Sequence, residues 1–294
     1  MTALSPLAAL WLDVFVNSFL PIVAFWVAGK INPFFFAFAG SLVGFLTLLP
    51  FVLKRAYFGL FFRREYLFPL FMIGFFGSAL PIILLVSALE YTTPSNAAIL
   101  SQAEVVYSMI LSGIFLKEKI TRKQLLGTAL VLAGTVMIVL KERFTLRFTG
   151  DLIVLLMPIS YQVSHLFSKK LKDHVSHVFV ASARTFFAAS SMFFIFFFYA
   201  FFTGFRPGFS PEVFLILLIW GVVLTALNNV LWYRAILNLD LAKSTAIILS
   251  YPVFTTLISF FLGMEKIQAY QLFGLFLALS GAMVVTFIVR PEKN

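Results

Sequence analysis

The chain contains no cysteine, only twelve acidic residues among 294, and no extended polar stretch from which a soluble domain could be built. The first absence excludes disulfides, thiolate metal sites and cysteine nucleophiles. The second, set against 22 Lys and Arg, leaves a formal net charge of +10. In a soluble domain that excess would suggest nucleic acid. Here the basic residues sit in short runs between apolar segments, so no nucleic-acid partner is expected and lipid headgroups are the expected neighbours. No H-E-x-x-H, no G-x-S-x-G and no suitably spaced aspartate pair occurs, which argues against an intramembrane enzyme. Filter loops and rings of like charge, the marks of a channel, are also missing. No cofactor is expected. His174 and His177 form an H-x-x-H pair in a short basic loop without a third ligand, which reads as a solvated loop and not a metal site.

What is abundant is apolar: 61% of residues, with 39 phenylalanines. That composition predicts an all-α integral membrane protein. Ten windows are long enough to cross the hydrocarbon core: Leu7 to Ala28, Pro33 to Leu53, Leu67 to Leu89, Ser95 to Leu116, Lys123 to Leu140, Gly150 to Ser168, His177 to Phe202, Glu212 to Tyr233, Leu241 to Gly263 and Ala269 to Val289. The opening residues, MTALSPLAAL, lack a basic leader and a small-residue cleavage site, so they read as the first span and not a cleaved signal. With alternate loops on alternate sides, fifteen Lys and Arg fall on the side of the termini and six on the other. Both termini are therefore expected in the cytoplasm, with the protein in the cell membrane.

The chain is doubled. Glu118 to Gly134, EKITRKQLLGTALVLAG, recurs 147 residues later as Glu265 to Gly281, EKIQAYQLFGLFLALSG, sharing Glu-Lys-Ile, Gln-Leu and both glycines. The register holds through the preceding span, where Val106 meets Val253 and Ser112 meets Ser259. Two repeats, 1–147 and 148–294, each with five crossings, must face opposite ways in the bilayer, as in many secondary transporters.

The second repeat, with LSYPVFTTLISFFLGMEKIQAYQLFGLFLALSGAMVV, resembles the EamA family of the drug/metabolite transporter superfamily, and the first shows the same frame in YTTPSNAAILSQAEVVYSMILSGIFLKEKITRKQLLG. The shared features are a Pro-Val-Phe helix centre, Gly-x-Glu at its end and a Gln-x-x-Gly helix start. The resemblance covers essentially the whole chain. It implies ten helices, cytoplasmic termini, a central cavity and alternating-access movement of small organic molecules, commonly amino acids, related metabolites or toxic cations. Two positions depart from the pattern. Val105 stands where the second repeat has Pro252, with Glu104 opposite Tyr251. Aligning Ala37 with Ala181 places Gly40 opposite Arg184, where the resemblance implies that arginine is common.

Ionisable groups inside spans are costly and normally face a cavity or a partner. Asp13, Glu104 and Arg184 are such groups, and are candidates for coupling or gating. Glu104 falls near mid-depth, and Ser101, Glu104, Ser108 and Ser112 share a helical face. That stripe is either wet and substrate-facing, with Glu104 binding a cation or carrying a proton, or a small-residue packing face. Asp13 and Arg184 lie at similar depth, so they are expected to approach each other or to line the same half of the pathway. Candidate substrate-binding residues are Asn17, Ser101, Glu104, Tyr107, Tyr161, Gln162, His165, Asn228, Trp232 and Tyr251, a set of donors and acceptors among apolar walls. Taken singly, each reads more readily as a helix–helix hydrogen bond or an interfacial anchor than as a ligand, and Trp232 and Tyr233 especially fit an interfacial belt. Gly127, Gly134, Gly274 and Gly281 are expected at close helix packing, within a protomer or between the protomers of a homodimer. The resulting expectation is a transporter moving a small metabolite by alternating access, with spans 1, 3, 4, 6, 8 and 9 lining the cavity and 5 and 10 as scaffold. An amino acid is the leading substrate, with organic cations or nucleotide-like metabolites, or efflux of drugs, as the alternative.

Overall fold

A computed structural model describes residues 4–27, 30–140, 146–171, 175–205, 208, 210–264 and 266–288. Among them are ten helical segments long and apolar enough to cross a membrane. They are α1 (Pro6–Val27), α2 (Pro33–Lys54), α3 (Arg64–Ala88), α4 (Asn96–Leu116), α5 (Arg122–Val139), α6 (Phe148–Lys170), α7 (His177–Thr203), α8 (Pro211–Ile236), α9 (Leu241–Phe261) and α10 (Ala269–Ile288). The expected windows match these segments to within about three residues, the uncertainty of any helix boundary read from a sequence. Four starts share one device: Ser5-Pro6, Asn32-Pro33, Thr93-Pro94 and Ser210-Pro211 each put a side-chain oxygen on a free helix N–H and a proline in the first turn. The proline has no N–H to leave unpaired there. One element escaped the sequence reading, a short helix Tyr57–Phe61 between α2 and α3, too brief to show a period.

The inversion of the repeats is visible at α5 and α10, the most extensive helix pair in the molecule. A Cβ added at Gly127 would meet the Gly281 carbonyl oxygen at 3.0 Å, and one at Gly134 would meet the Gly274 carbonyl oxygen at 2.5 Å. Residue numbers rise on one helix as they fall on the other, so the two run antiparallel. Adding the repeat length of 147 to one contact generates the other. Consistent with this, Tyr270 near the start of α10 donates to the Leu140 carbonyl just past the end of α5 (3.0 Å), and Gln271 to that of Ile138 (3.1 Å). The glycine faces are thus consumed within one protomer.

The remaining pairs obey the same exchange: α1 packs on α8 as α6 packs on α3, and α2 packs on α8 as α7 packs on α3. Pairs α2–α7, α4–α9 and α5–α10 map onto themselves and so lie on the pseudo-twofold axis. Loops gather at two ends. One end joins Tyr57 to Ser176 (3.1 Å), Lys169 to the Leu239 carbonyl (2.8 Å) and Arg234 to the Leu4 carbonyl (2.7 Å). The other joins Lys30 to Glu212 (2.7 Å) and Thr92 to Asp151 (2.6 Å). The first end also carries the basic runs Lys54-Arg55, Arg63-Arg64 and Lys169-Lys170.

Candidate functional site

Three irregularities converge on the middle of the bundle. Both axial helices, α4 and α9, are broken: α4 stops at Ser101 and restarts at Glu104, α9 stops at Ile248 and restarts at Tyr251. The breaks are one repeat apart. In α9 the cause is evident, because Pro252 lacks an N–H and its ring excludes a helical carbonyl four residues back. The break in α4 has no proline, yet Val105 N–H reaches only the Gln102 carbonyl, at 3.4 Å. α1 is likewise interrupted between Asn17 and Leu20, ahead of Pro21, and the freed Ser18 carbonyl accepts from Thr255 (2.8 Å).

The third irregularity is a π-helical turn in α3, Phe75–Ala79, matched by a longer one in α8, Trp220–Leu227. Such turns free backbone groups and favour functional sites. In α3 the freed groups can be followed individually. Pro81 supplies no N–H to the carbonyls four or five residues before it. The Phe76 carbonyl accepts from Ser160 instead (2.6 Å), and the Gly77 carbonyl from the Arg184 guanidinium. Arg184 also donates to Ser78 Oγ (3.2 Å) and lies over the Tyr233 ring, 5.9 Å from its centroid. A side chain at Gly77 would meet Ser164 Oγ at 2.5 Å and Arg184 Nε at 3.1 Å, so only glycine admits this approach.

Across from Arg184, at the start of the second half of α4, Glu104 Oε1 accepts from Gln162 Nε2 (3.0 Å) and stands 4.0 Å from His165 Nε2. His165 Nδ1 accepts the Trp232 indole N–H at 3.4 Å, which leaves Nε2 as the protonated nitrogen of a neutral ring, facing the carboxylate. The Glu104 side chain is 16% exposed and that of His165 5%. Arg184 acts electrostatically on Asp13, Glu104, Tyr161 and His165, and Glu104 on Tyr161 and Tyr251. One charged cluster therefore draws on α1, α4, α6, α7 and α9, with Trp232 of α8 behind it.

The other expected residues divide. Asn17 and Asn228 bond each other (2.8 Å), tying the break in α1 to the end of the π turn in α8. The Ser101 hydroxyl turns back to the Ala97 carbonyl (2.7 Å). Tyr107 is half-buried on the second half of α4, outside the hydrogen-bonded cluster. Ser108 and Ser112 are fully buried, and Ser108 meets Thr245 of α9 at 2.9 Å. The serine stripe is thus no single wet face, because the break separates Ser101 from the rest and the later serines pack against α9. Trp232 and Tyr233 are not an interfacial belt: they are 6% and 0% exposed, in the core beside His165 and Arg184. Asp13 and Arg184 form no ion pair within 4.0 Å. Asp13 is 1% exposed, and neither carboxyl oxygen has a hydrogen-bond partner in the described structure. His174 lies outside the described residues.

Each of the two axial helices is also held at its first turn by a carboxylate. Asp151 of α6 accepts from Thr92 (2.6 Å) and Asn96 (3.3 Å) at the start of α4. Glu118, in the α4–α5 turn, accepts from the backbone N–H groups of Leu241 (2.6 Å) and Ala242 (3.0 Å) at the start of α9. A carboxylate at a helix N-terminus is favourable. Burial raises the Glu118 pKa above its ordinary value, although the two backbone bonds oppose it. Neither clamp was foreseen, and Glu118 could have been, since it opens the repeated Glu-Lys-Ile motif.

A symmetric ten-helix bundle with broken axial helices and a buried polar centre restricts the comparison with known proteins. The EamA-like transporter family matches residues 4–140 and again 148–287. The chain belongs to this family. It is therefore a transporter and an integral multi-pass membrane protein. Among curated relatives, an uncharacterized transporter of Archaeoglobus fulgidus is 28% identical over 207 residues, 68% of this chain and 69% of that protein. Uncharacterized transporters YetK and YyaM of Bacillus subtilis are 24% and 23% identical, covering 85% and 76% of this chain and 76% and 73% of their own lengths. A solved crystal structure superposes with a TM-score of 0.79, covering 96% of this chain and 97% of that one, at 19% identity, which speaks for the fold alone.

Proposed function

We propose that this transporter carries a small zwitterionic metabolite, an amino acid or a close relative, through the central cluster by alternating access, with Glu104 as the proton-coupling group. The observation that carries the reading is the juxtaposition of Glu104 with Gln162 and His165 at the break in α4, in the field of Arg184. Arg184 is held by neutral oxygens and has no carboxylate within 4.0 Å among the described residues, so its charge is available to a substrate carboxylate. Glu104 is available to an ammonium group or a proton. Asn17, Tyr161, Tyr251 and Asn228, on the edges of the cluster, would complete the lining. Rocking of the two repeats about the α4–α9 axis would expose the cluster to each side in turn, while α5 and α10 hold the bundle together. The basic end is assigned to the cytoplasm of a cell membrane, with both termini there. A monomer suffices, since the small-residue faces are already paired internally.

An organic cation as substrate is the second reading, and the orphaned Asp13 carboxyl favours it. Purified protein in proteoliposomes separates the two. Uptake of neutral amino acids driven by an imposed pH gradient is expected, with Glu104→Gln still performing substrate counterflow but indifferent to the gradient. A Glu104→Gln protein as dependent on the gradient as wild type would defeat the coupling role, and counterflow of cations alone would favour the second reading.

A further inference from the structure

The connection between α2 and α3 holds a feature unrelated to the central cluster. After Lys54 and Arg55 the chain turns through Ala56, a non-glycine residue at φ +52°, into the short helix Tyr57–Phe61. One side of this helix is anchored. Phe61 is fully buried among Phe179, Phe186 and Phe187, and the Tyr57 ring meets Phe179 edge-on at 5.1 Å. Phe58 and Phe62 also reach the Phe186 ring, each at 5.8 Å, yet remain 41% and 51% exposed. Between this connection and the start of α7 lies a cleft of about 160 Å³ walled by Tyr57, Leu60, Arg63, Tyr66, Ser176 and Phe179.

The cleft is positively charged. Arg55 Nη1 donates to the Tyr57 hydroxyl (3.4 Å), which is also 3.1 Å from Ser176 Oγ. Arg63 is 63% exposed and has only a loose contact with the exposed Glu65, at 3.9 Å. Arg63, Arg64 and Glu65 border a second, shallower basin. Lys54, Arg55 and Arg64 have no carboxylate within 4.0 Å among the described residues. Burial alone would raise the Tyr57 pKa, yet the Ser176 bond and the Arg55 guanidinium together hold it below its ordinary value. Hydroxyl and guanidinium donors thus face a space that can hold one phosphodiester, at the level where a helix-spanned bilayer meets water. Phe58 and Phe62 are exposed on the same short helix.

We propose that this cleft binds the headgroup phosphate of an anionic phospholipid from the leaflet at the basic end, with Arg55, Arg63, Tyr57 and Ser176 as its donors and Phe58 and Phe62 against the acyl chains. Charge complementarity selects the occupant. The excess of guanidinium over carboxylate at Arg55, Arg63 and Arg64, with Glu65 alone nearby among the described residues, favours a net negative headgroup over a zwitterionic one, and basic groups at a membrane surface each contribute roughly a fivefold preference. The two phenylalanines would have no role in holding a free phosphate ion. The bound lipid would fix the α2–α3 connection against the start of α7, through the same Tyr57–Ser176 bond.

The test is thermal unfolding of the full chain in detergent, titrated with phosphatidylglycerol, with phosphatidylcholine of the same acyl chains, or with inorganic phosphate. Wild type is expected to gain stability with phosphatidylglycerol in preference to the other two. The triple variant Arg55→Gln, Arg63→Gln, Arg64→Gln should fold, because these side chains lie at the surface, and should need on the order of a hundredfold more phosphatidylglycerol for the same shift. The double variant Arg122→Gln, Lys123→Gln removes charge from the same end outside the cleft and should behave as wild type. Equal stabilisation by phosphatidylcholine would overturn the proposal, as would an equal loss in the double variant. A full effect from inorganic phosphate would make this a site for a free anion and overturn the lipid assignment.

Discussion

The two repeats place the same break at the same point in α4 and α9 and furnish it differently. In α9 it is made by Pro252 and lined by Tyr251. In α4 it is made without proline and lined by Glu104. The breaks therefore belong to the architecture, and the residue at each restart is free to carry chemistry. The same division applies to the neighbouring helices. Arg184 reaches from α7 to the opened carbonyls of α3, whereas its counterpart Gly40 on α2 lies against Trp220, whose ring a Cβ there would meet at 2.5 Å. One pseudo-symmetric position holds the charge and the other is filled by an indole. Duplication supplied a symmetric frame, and the substitutions that break the symmetry gather at the centre.

The sharpest way to break the comparison is to exchange the chemistry at the two restarts. Glu104→Gln should abolish the response of uptake to a pH gradient, whereas Tyr251→Phe should leave it intact, as read by flux in proteoliposomes. Equal losses in the two variants would mean that the acid adds nothing to the break itself. Next in size is Arg184→Ala. Hydrogen bonds to charged groups are worth about 1.5–3 kcal/mol, so substrate affinity should fall at least about tenfold, measured by equilibrium binding. Stability should fall less, because water can take the place of the guanidinium at the Gly77 and Ser78 oxygens.

The scaffold gives a smaller effect on a different readout. A Cβ at Gly134 would lie 2.4 Å from the Ala278 backbone nitrogen, whereas one at Gly113 meets nothing nearer than 3.9 Å. Overpacking of this kind costs about 1–3 kcal/mol, so Gly134→Ala should lower the thermal midpoint while Gly113→Ala leaves it unchanged. Transport per folded molecule should be preserved in both.

Much of this frame could be read in the sequence, because a span declares itself by length and polarity and the repeat by its register. The pairing Gly127–Gly281 follows once the halves are known to be inverted. The centre was harder. Glu104, Gln162 and His165 were named individually, but their convergence depends on where α4 breaks, and nothing in Gln102-Ala103-Glu104-Val105 announces a break. Trp232 and Tyr233 were misread because an aromatic pair near a span end has the same composition in a headgroup belt as in a core. The adjacent Asn228-Asn229, costly in lipid, was the available warning. The π turns leave no period to detect, although Pro81, which orphans the carbonyls held by Arg184 and Ser160, marks one of them.

The smallest predicted effect tests the claim that the α4 break is built into the frame. Proline inside a continuous helix costs about 3 kcal/mol, through a lost hydrogen bond and a clash with the carbonyl four residues back. At position 105 both penalties have largely been met already. The Val105 N–H makes only a 3.4 Å contact to Gln102, and the helix does not continue through Gln102 and Ala103. Val105→Pro, which restores the residue found in the second repeat, should therefore cost less than about 1 kcal/mol in thermal unfolding. The same substitution at Val131, buried within unbroken α5, should bear the full penalty. If the two variants lost stability equally, the break at Glu104 would be no more open than an ordinary helix, and the site built on it would lack its foundation.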